Sequence, residues 1–134
     1  MSRILIVEDD PMNQLLIKNI LTEAGHEIYI SPSGDHALQT LRSFNYFDII
    51  ITDIMMPGLD GRELISRIRA DNDILSTPII IISGVIKSSE VWELLERGAA
   101  YFLPKPVKKD ELLEYIALCE KDSEVLRANN CNHE

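Results

Sequence analysis

The chain has 134 residues, which suits one domain and is too short for a two-domain enzyme. Apolar residues make up 46% and charged residues 26%, an ordinary globular balance that excludes wholesale disorder. Acidic residues outnumber basic ones 22 to 13, and a formal charge of −9 disfavours direct contact with DNA or an anionic membrane.

In chain order, Ile4 to Val7 is a short apolar run of the kind buried on both faces of a parallel sheet. It is too short for a signal segment and is followed at once by Glu8. Asp10-Pro11 supplies a cap and a first-turn proline for a helix carrying Leu15, Leu16, Ile20 and Leu21, with Gly25 as its stop. Glu27 to Ile30 reads as a second, weaker strand. Ser33 opens a second helix with Ala37, Leu38 and Leu41. Phe47 to Thr52 is the third strand, followed by a loop marked by Pro57, Gly58 and Gly61. Asp60 and Glu63 form a capping-box variant for a helix carrying Leu64, Ile65 and Ile68. Pro78 to Ile82 is the fourth strand. Ser88 or Ser89 is expected to cap a helix that ends at Gly98. Ala100 to Leu103 is the fifth strand, and from Lys109 a last helix carries Leu112, Leu113 and Ile116. Apolar periodicity fades after residue 121, so residues 1–121 form the expected domain and 122–134 a helical extension or tail.

Five alternating strands and helices without an internal repeat predict an α/β fold. The expected form is a doubly wound, flavodoxin-like (βα)5 sandwich with a parallel sheet in the order 2-1-3-4-5. Ligands of such sheets gather at the carboxyl ends of the strands. Those ends here are Glu8-Asp9-Asp10, Asp53, Ser83-Gly84 and Lys105-Pro106. Clustered carboxylates repel one another, and a hard divalent cation with oxygen ligands relieves them. Carboxylates, Mg²⁺, an ammonium and a small hydroxyl suit the holding of a phosphoryl group, whose transfer is mostly positioning and charge neutralisation.

Four segments carry a resemblance: Val7-Glu8-Asp9-Asp10, Ile51 to Gly61, Ile82-Ser83-Gly84 and Leu103-Pro104-Lys105-Pro106. Together they resemble the signatures of the response regulator receiver domain of two-component and phosphorelay signalling, from about Arg3 to about Glu120. The resemblance implies that Asp53 is the phosphoacceptor. It implies Mg²⁺ held by Glu8, Asp9, Asp53 and the backbone carbonyl of Met55, with Asp9 direct and Glu8 through water. Ser83 matches the switch hydroxyl, Lys105 the lysine that pairs with the phosphoryl group, and Phe102 the aromatic that changes rotamer. Pro106 matches a proline after a cis peptide bond. The implied partners are a sensor histidine kinase or a histidine phosphotransfer protein, and downstream an effector reached through helix four, strand five and helix five. A phosphorylation-linked homodimer through that face is a further possibility. The chemistry stands without the family. Aspartate side chains are ionised at neutral pH and attack phosphorus without a base.

Several residues have plainer readings. Asp10 reads as a helix cap rather than a ligand. Trp92 lies off the stripe of Val91, Leu94 and Leu95, either on an exposed partner face with Tyr115 or against the sheet edge. Cys131-Asn132-His133 is too sparse for a metal site, and two cysteines, Cys119 and Cys131, do not make a secreted disulfide scaffold. Asn13-Gln14 resembles receivers whose partners dock on helix one. Met55 and Val85 occupy the positions that flank the attacking water in the family, and neither can activate it, so slow dephosphorylation is expected.

The expected protein is therefore a cytoplasmic phosphoacceptor switch, not an enzyme beyond its own phosphorylation and dephosphorylation. It would have no DNA or membrane contact and no output domain of its own. A phosphohydrolase of the haloacid dehalogenase type would need a second acid where Met55 stands. A flavin module would need a phosphate cradle where Glu8-Asp9-Asp10 stands. A degenerate receiver acting as a constitutive binder would lack part of the residue set.

Overall fold

The computed structural model describes residues 1–43, 47–71, 77–84 and 87–131, with side chains described as far as Asp122. Its elements run β1 (Arg3–Val7), α1 (Pro11–Glu23), β2 (Glu27–Ser31), α2 (Gly34–Ser43), β3 (Ile49–Asp53), α3 (Gly61–Ala70), β4 (Ile79–Ser83), α4 (Ser88–Glu96), β5 (Tyr101–Pro104) and α5 (Lys109–Cys131). The five strands form one sheet in the order β2-β1-β3-β4-β5, and every pairing is parallel. The expected topology is the observed one.

Alternation along the central strands divides the core in two. Ile4, Ile6, Ile49, Ile51, Ile80 and Ile82 pack against Ile17, Ile20 and Leu21 of α1 and Leu112, Ile116 and Cys119 of α5. Leu5, Val7, Ile50, Ile79 and Ile81 face α2, α3 and α4. Both faces are covered, so the runs Ile4–Val7 of β1, Ile49–Ile51 of β3 and Ile79–Ile82 of β4 are wholly apolar, and each fully buried isoleucine contributes about 1.5–3 kcal/mol.

Helix α1 turns a different face inward than its leucines suggested. Ile17, Ile20 and Leu21 are buried, whereas Leu15 and Leu16 are 54% and 41% exposed. The buried stripe follows the i, i+3, i+4 spacing from Ile17, and Gln14 holds the position one turn earlier. At α4 the residue before the first turn is Lys87, which makes no side-chain cap bond, and Ser88 is already helical. The extended backbone at Lys87 starts the helix one residue before either serine can cap it. Asp10 and Asp60 cap as expected, accepting from the N–H groups of Met12 and Glu63. Helix α5 runs unbroken past residue 121 to Cys131. Asn132 and His133 lie outside the described residues.

Trp92 is 69% exposed, and Tyr115 stacks instead on Tyr101 with ring centroids 5.0 Å apart. None of the described helices is long and apolar enough to cross a membrane.

Candidate functional site

The parallel register brings the carboxyl ends of β1, β3, β4 and β5 to one rim. β1 delivers Glu8 and Asp9, β3 ends at Asp53, β4 ends at Ser83, and β5 leads into Lys105. Lys105 Nζ donates to Asp53 Oδ2 at 2.7 Å and to Glu8 Oε1 at 2.8 Å. One ammonium thus joins residues 52 and 97 positions away in sequence. Carboxylate oxygens of Glu8, Asp9 and Asp53 lie within 4.8 Å of one another.

The three acids differ in setting. Glu8 is fully buried and Asp53 nearly so, while Asp9 is exposed. Burial is the main force on Glu8. It pushes the carboxyl up to about 7 from an ordinary 4.5, against the pull of Lys105 and with added repulsion from Asp53. Burial also works against the charge on Lys105. The hydrogen bonds to Asp53 and Glu8 outweigh it and hold the ammonium above the usual lysine value. The rim is therefore short of positive charge: among the described residues, one ammonium is hydrogen-bonded to the carboxylates of this cluster.

Backbone donors aim the acids. Met55 N–H donates to Asp53 Oδ1 at 3.2 Å. Glu8 Oε2 accepts from the N–H groups of Asp9 at 3.0 Å and Asp10 at 3.4 Å. The Met55 side chain is 67% exposed beside the site. Val85, the other residue expected to flank an attacking water, lies outside the described residues. Lys105–Pro106 is a cis peptide bond, as expected at Pro106.

Ser83 Oγ is buried and has no hydrogen-bond partner among the described residues. An unsatisfied buried hydroxyl is costly, and an acceptor beside Ser83 Oγ would relieve it. Phe102 is half-buried against the α2–α4 face of the core, next to Leu103, which faces the other way. The clustered oxygens, the orphan hydroxyl and the charge shortfall fit a hard divalent cation such as Mg²⁺, with Glu8, Asp9 and Asp53 to hold it.

Two contributors to the rim escaped the sequence. Gly61 opens α3 against the end of β3, where a Cβ would lie 2.6 Å from the Asp53 carbonyl oxygen and 2.7 Å from Ile54 Cα. Its N–H donates to the Ile54 carbonyl at 3.0 Å. Only glycine permits that approach. The Asp-Gly pair ending the loop was the available signal, and it read as a turn. The second is Gln14, whose side chain turns inward to donate to the Glu8 carbonyl at 2.6 Å.

Known proteins resemble this chain in sequence and in fold. The sequence model for the response regulator receiver domain matches residues 4–117. The chain is 32% identical over 111 residues to the two-component response regulator-like protein PRR73 of Oryza sativa subsp. japonica, covering 82% of this chain and 14% of that protein. It is 31% identical over 127 residues to the transcriptional regulatory protein DltR of Streptococcus agalactiae, covering 95% of this chain and 55% of the relative. The chain thus spans between about one-seventh and just over half the length of these relatives. The receiver domain of the Francisella response regulator 1452 superposes with a TM-score of 0.84 at 32% identity, over 92% of this chain and 99% of that one. With a family match across most of its length and the same five-stranded architecture, the chain belongs to the response regulator receiver domain family.

Proposed function

We propose that the chain is a phosphoacceptor switch that takes a phosphoryl group on Asp53. The observation that carries this reading is the contact of Lys105 Nζ with Asp53 Oδ2 and Glu8 Oε1, with Asp9 beside them. A carboxylate oxygen of Asp53 attacks the phosphorus of a phosphohistidine on a sensor kinase or phosphotransfer protein. A P–O bond forms as the P–N bond breaks, and the imidazole leaves with the electron pair. Lys105 is placed to hold a phosphoryl oxygen, and Ser83 Oγ to donate to another. Receiver domains generally bind Mg²⁺. Held here by Glu8, Asp9, Asp53 and the Met55 carbonyl, it would supply charge neutralisation for the transferring oxygens.

The aspartyl phosphate is a mixed anhydride that water returns to aspartate and phosphate. Replacing the single carboxylate charge of Asp53 by a phosphoryl group of about −2 would draw Ser83 and Lys105 to that group and bias the face made by α4, β5 and α5 toward an effector protein. The chain then signals from the cytoplasm through a protein contact, without DNA contact of its own and without turnover of an outside substrate.

The test is incubation with Mg²⁺ and acetyl phosphate, read by intact mass. One added phosphoryl group, absent in Asp53→Ala, is the expected result. No adduct on the parent chain, or the same adduct on Asp53→Ala, overturns the assignment. Failure of the chain to change on beryllofluoride with Mg²⁺ would favour a degenerate receiver instead.

A further inference from the structure

We infer that Gln14 is a positioning residue for the acidic pair Glu8-Asp9: its side-chain amide holds the peptide plane that aims both carboxylates. The inference rests on the reading of Glu8 and Asp9 as ligands of a divalent cation.

The peptide unit between Glu8 and Asp9 is held at both ends. Its carbonyl, that of Glu8, accepts from Gln14 Nε2 at 2.6 Å. Its N–H, that of Asp9, donates to Glu8 Oε2 at 3.0 Å. A carbonyl only accepts, so Gln14 must present its NH2 there. The orientation of one peptide plane fixes ψ of Glu8 and φ of Asp9 together. Those two angles decide where both side chains leave the backbone.

Asp9 depends on this most. Its carboxylate is exposed and has no hydrogen-bond partner among the described residues, so its direction comes from its backbone. Glu8 has other anchors, since its N–H donates to the Ser31 carbonyl at 3.0 Å and its carboxylate accepts from Lys105. Gln14 is in turn fixed by α1. Its own N–H donates to the carbonyl of Asp10, the residue that caps the helix and accepts from Asn13 Nδ2. The half-buried Gln14 stands one turn before Ile17 on the inward face, a place where an apolar side chain would be unremarkable. An amide there is explained by the carbonyl that it reaches.

The experiment compares Gln14→Leu with the parent chain by calorimetric titration with MgCl2, without a phosphodonor. Groups that orient metal ligands change affinity by about tenfold when removed, and a loss of that size is expected. Amide exchange of Asp9 N–H is expected to accelerate, while the unfolding midpoint without Mg²⁺ stays close to the parent's. Gln14→Glu keeps the shape and cannot donate when ionised, so it should weaken Mg²⁺ at least as much. If Gln14→Leu does not fold, the Glu variant decides. In an Asp9→Asn background, the Gln14 substitutions should have a much smaller effect on affinity, since Glu8 keeps its other anchors. Unchanged Mg²⁺ affinity in both Gln14 variants, with the parent binding normally, overturns the role of Gln14 alone. A parent chain that binds no Mg²⁺ overturns the ligand reading beneath it.

Discussion

The most discriminating perturbation of the rim is Glu8→Gln, followed through the pH dependence of stability. Glu8 is wholly buried beside Asp53, and its carboxyl titrates near 7 in the folded chain against an ordinary 4.5. The folded state therefore holds this proton more tightly than the unfolded state does. Below the unfolded value both states are protonated and nothing differs. As pH rises from about 4.5 toward 7, the unfolded chain loses the proton first and gains relative to the native state. Unfolding free energy falls by up to about 1.4 kcal/mol per pH unit and levels off above the folded value. The full loss corresponding to the interval from 4.5 to about 7 is about 3 kcal/mol.

Glutamine has nearly the same shape and does not titrate, so it removes this slope. It also removes the ionic partner at Glu8 Oε1, although Lys105 keeps Asp53. The expected outcome is a variant about as stable as the parent near pH 5, and more stable by about 1–3 kcal/mol near pH 8. Urea unfolding in chelator across that range, taken as the difference between the two proteins, isolates Glu8 from every other group. Parallel curves would refute the raised carboxyl. Followed down to about pH 3, a variant that loses ground to the parent as pH rises toward 4.5 would show that attraction to Lys105 outweighs burial.

Ser83→Ala removes a buried hydroxyl without a partner among the described residues, so stability without ligands should rise by up to about 1 kcal/mol in a denaturant titration. The same variant should gain less than the parent in melting temperature when beryllofluoride and Mg²⁺ are added. Met55→Asn places an amide where an exposed thioether now stands beside Asp53, and loss of the phosphoryl group should accelerate about tenfold, less than a full general base supplies. A rate equal to the parent's, measured by intact mass over time, would remove Met55 from the account of slow hydrolysis. Gly61→Ala forces a Cβ against the Asp53 carbonyl, and should cost about 1–3 kcal/mol in denaturant and lower the yield of phosphorylated protein.

The sequence revealed most where a short local pattern forces a single geometry. Apolar runs of four or five residues, each followed by a turn and an amphipathic segment, admit little besides a parallel sheet, and the order of its strands follows from short right-handed connections. Asp53 was legible because it ends such a run, and Lys105 because the topology carries the end of β5 to the same rim. Helix α1 was harder, since Leu15, Leu16 and Ile17 are consecutive and more than one helical phase fits them. The start of α4 turned on the backbone angles of Lys87, which two adjacent serines do not reveal. Gln14, Gly61 and the depth of Glu8 depend on distances between elements. A glutamine that reaches a carbonyl six residues back looks like any glutamine on a helix until the loop between them has a shape.

The rim is also where the molecule departs from electrostatic comfort. Among the described residues, three carboxylates cluster beside one ammonium, which is hydrogen-bonded to Glu8 and Asp53 alone, and burial pushes the Glu8 carboxyl up to about 7. On the proposed chemistry, phosphorylation raises the negative charge at Asp53 from one to about two, at the residue that now occupies Lys105 Nζ. A divalent cation and the phosphoryl group then relieve each other, so each should bind more tightly in the presence of the other, by equal factors at equilibrium. Ser83 Oγ lies at the end of the adjacent strand without a partner among the described residues, so the resting state bears a cost that a new acceptor would remove. Repulsion among the acids and the unused hydroxyl are then one device: both disfavour the resting rim, and both are satisfied by the same modification.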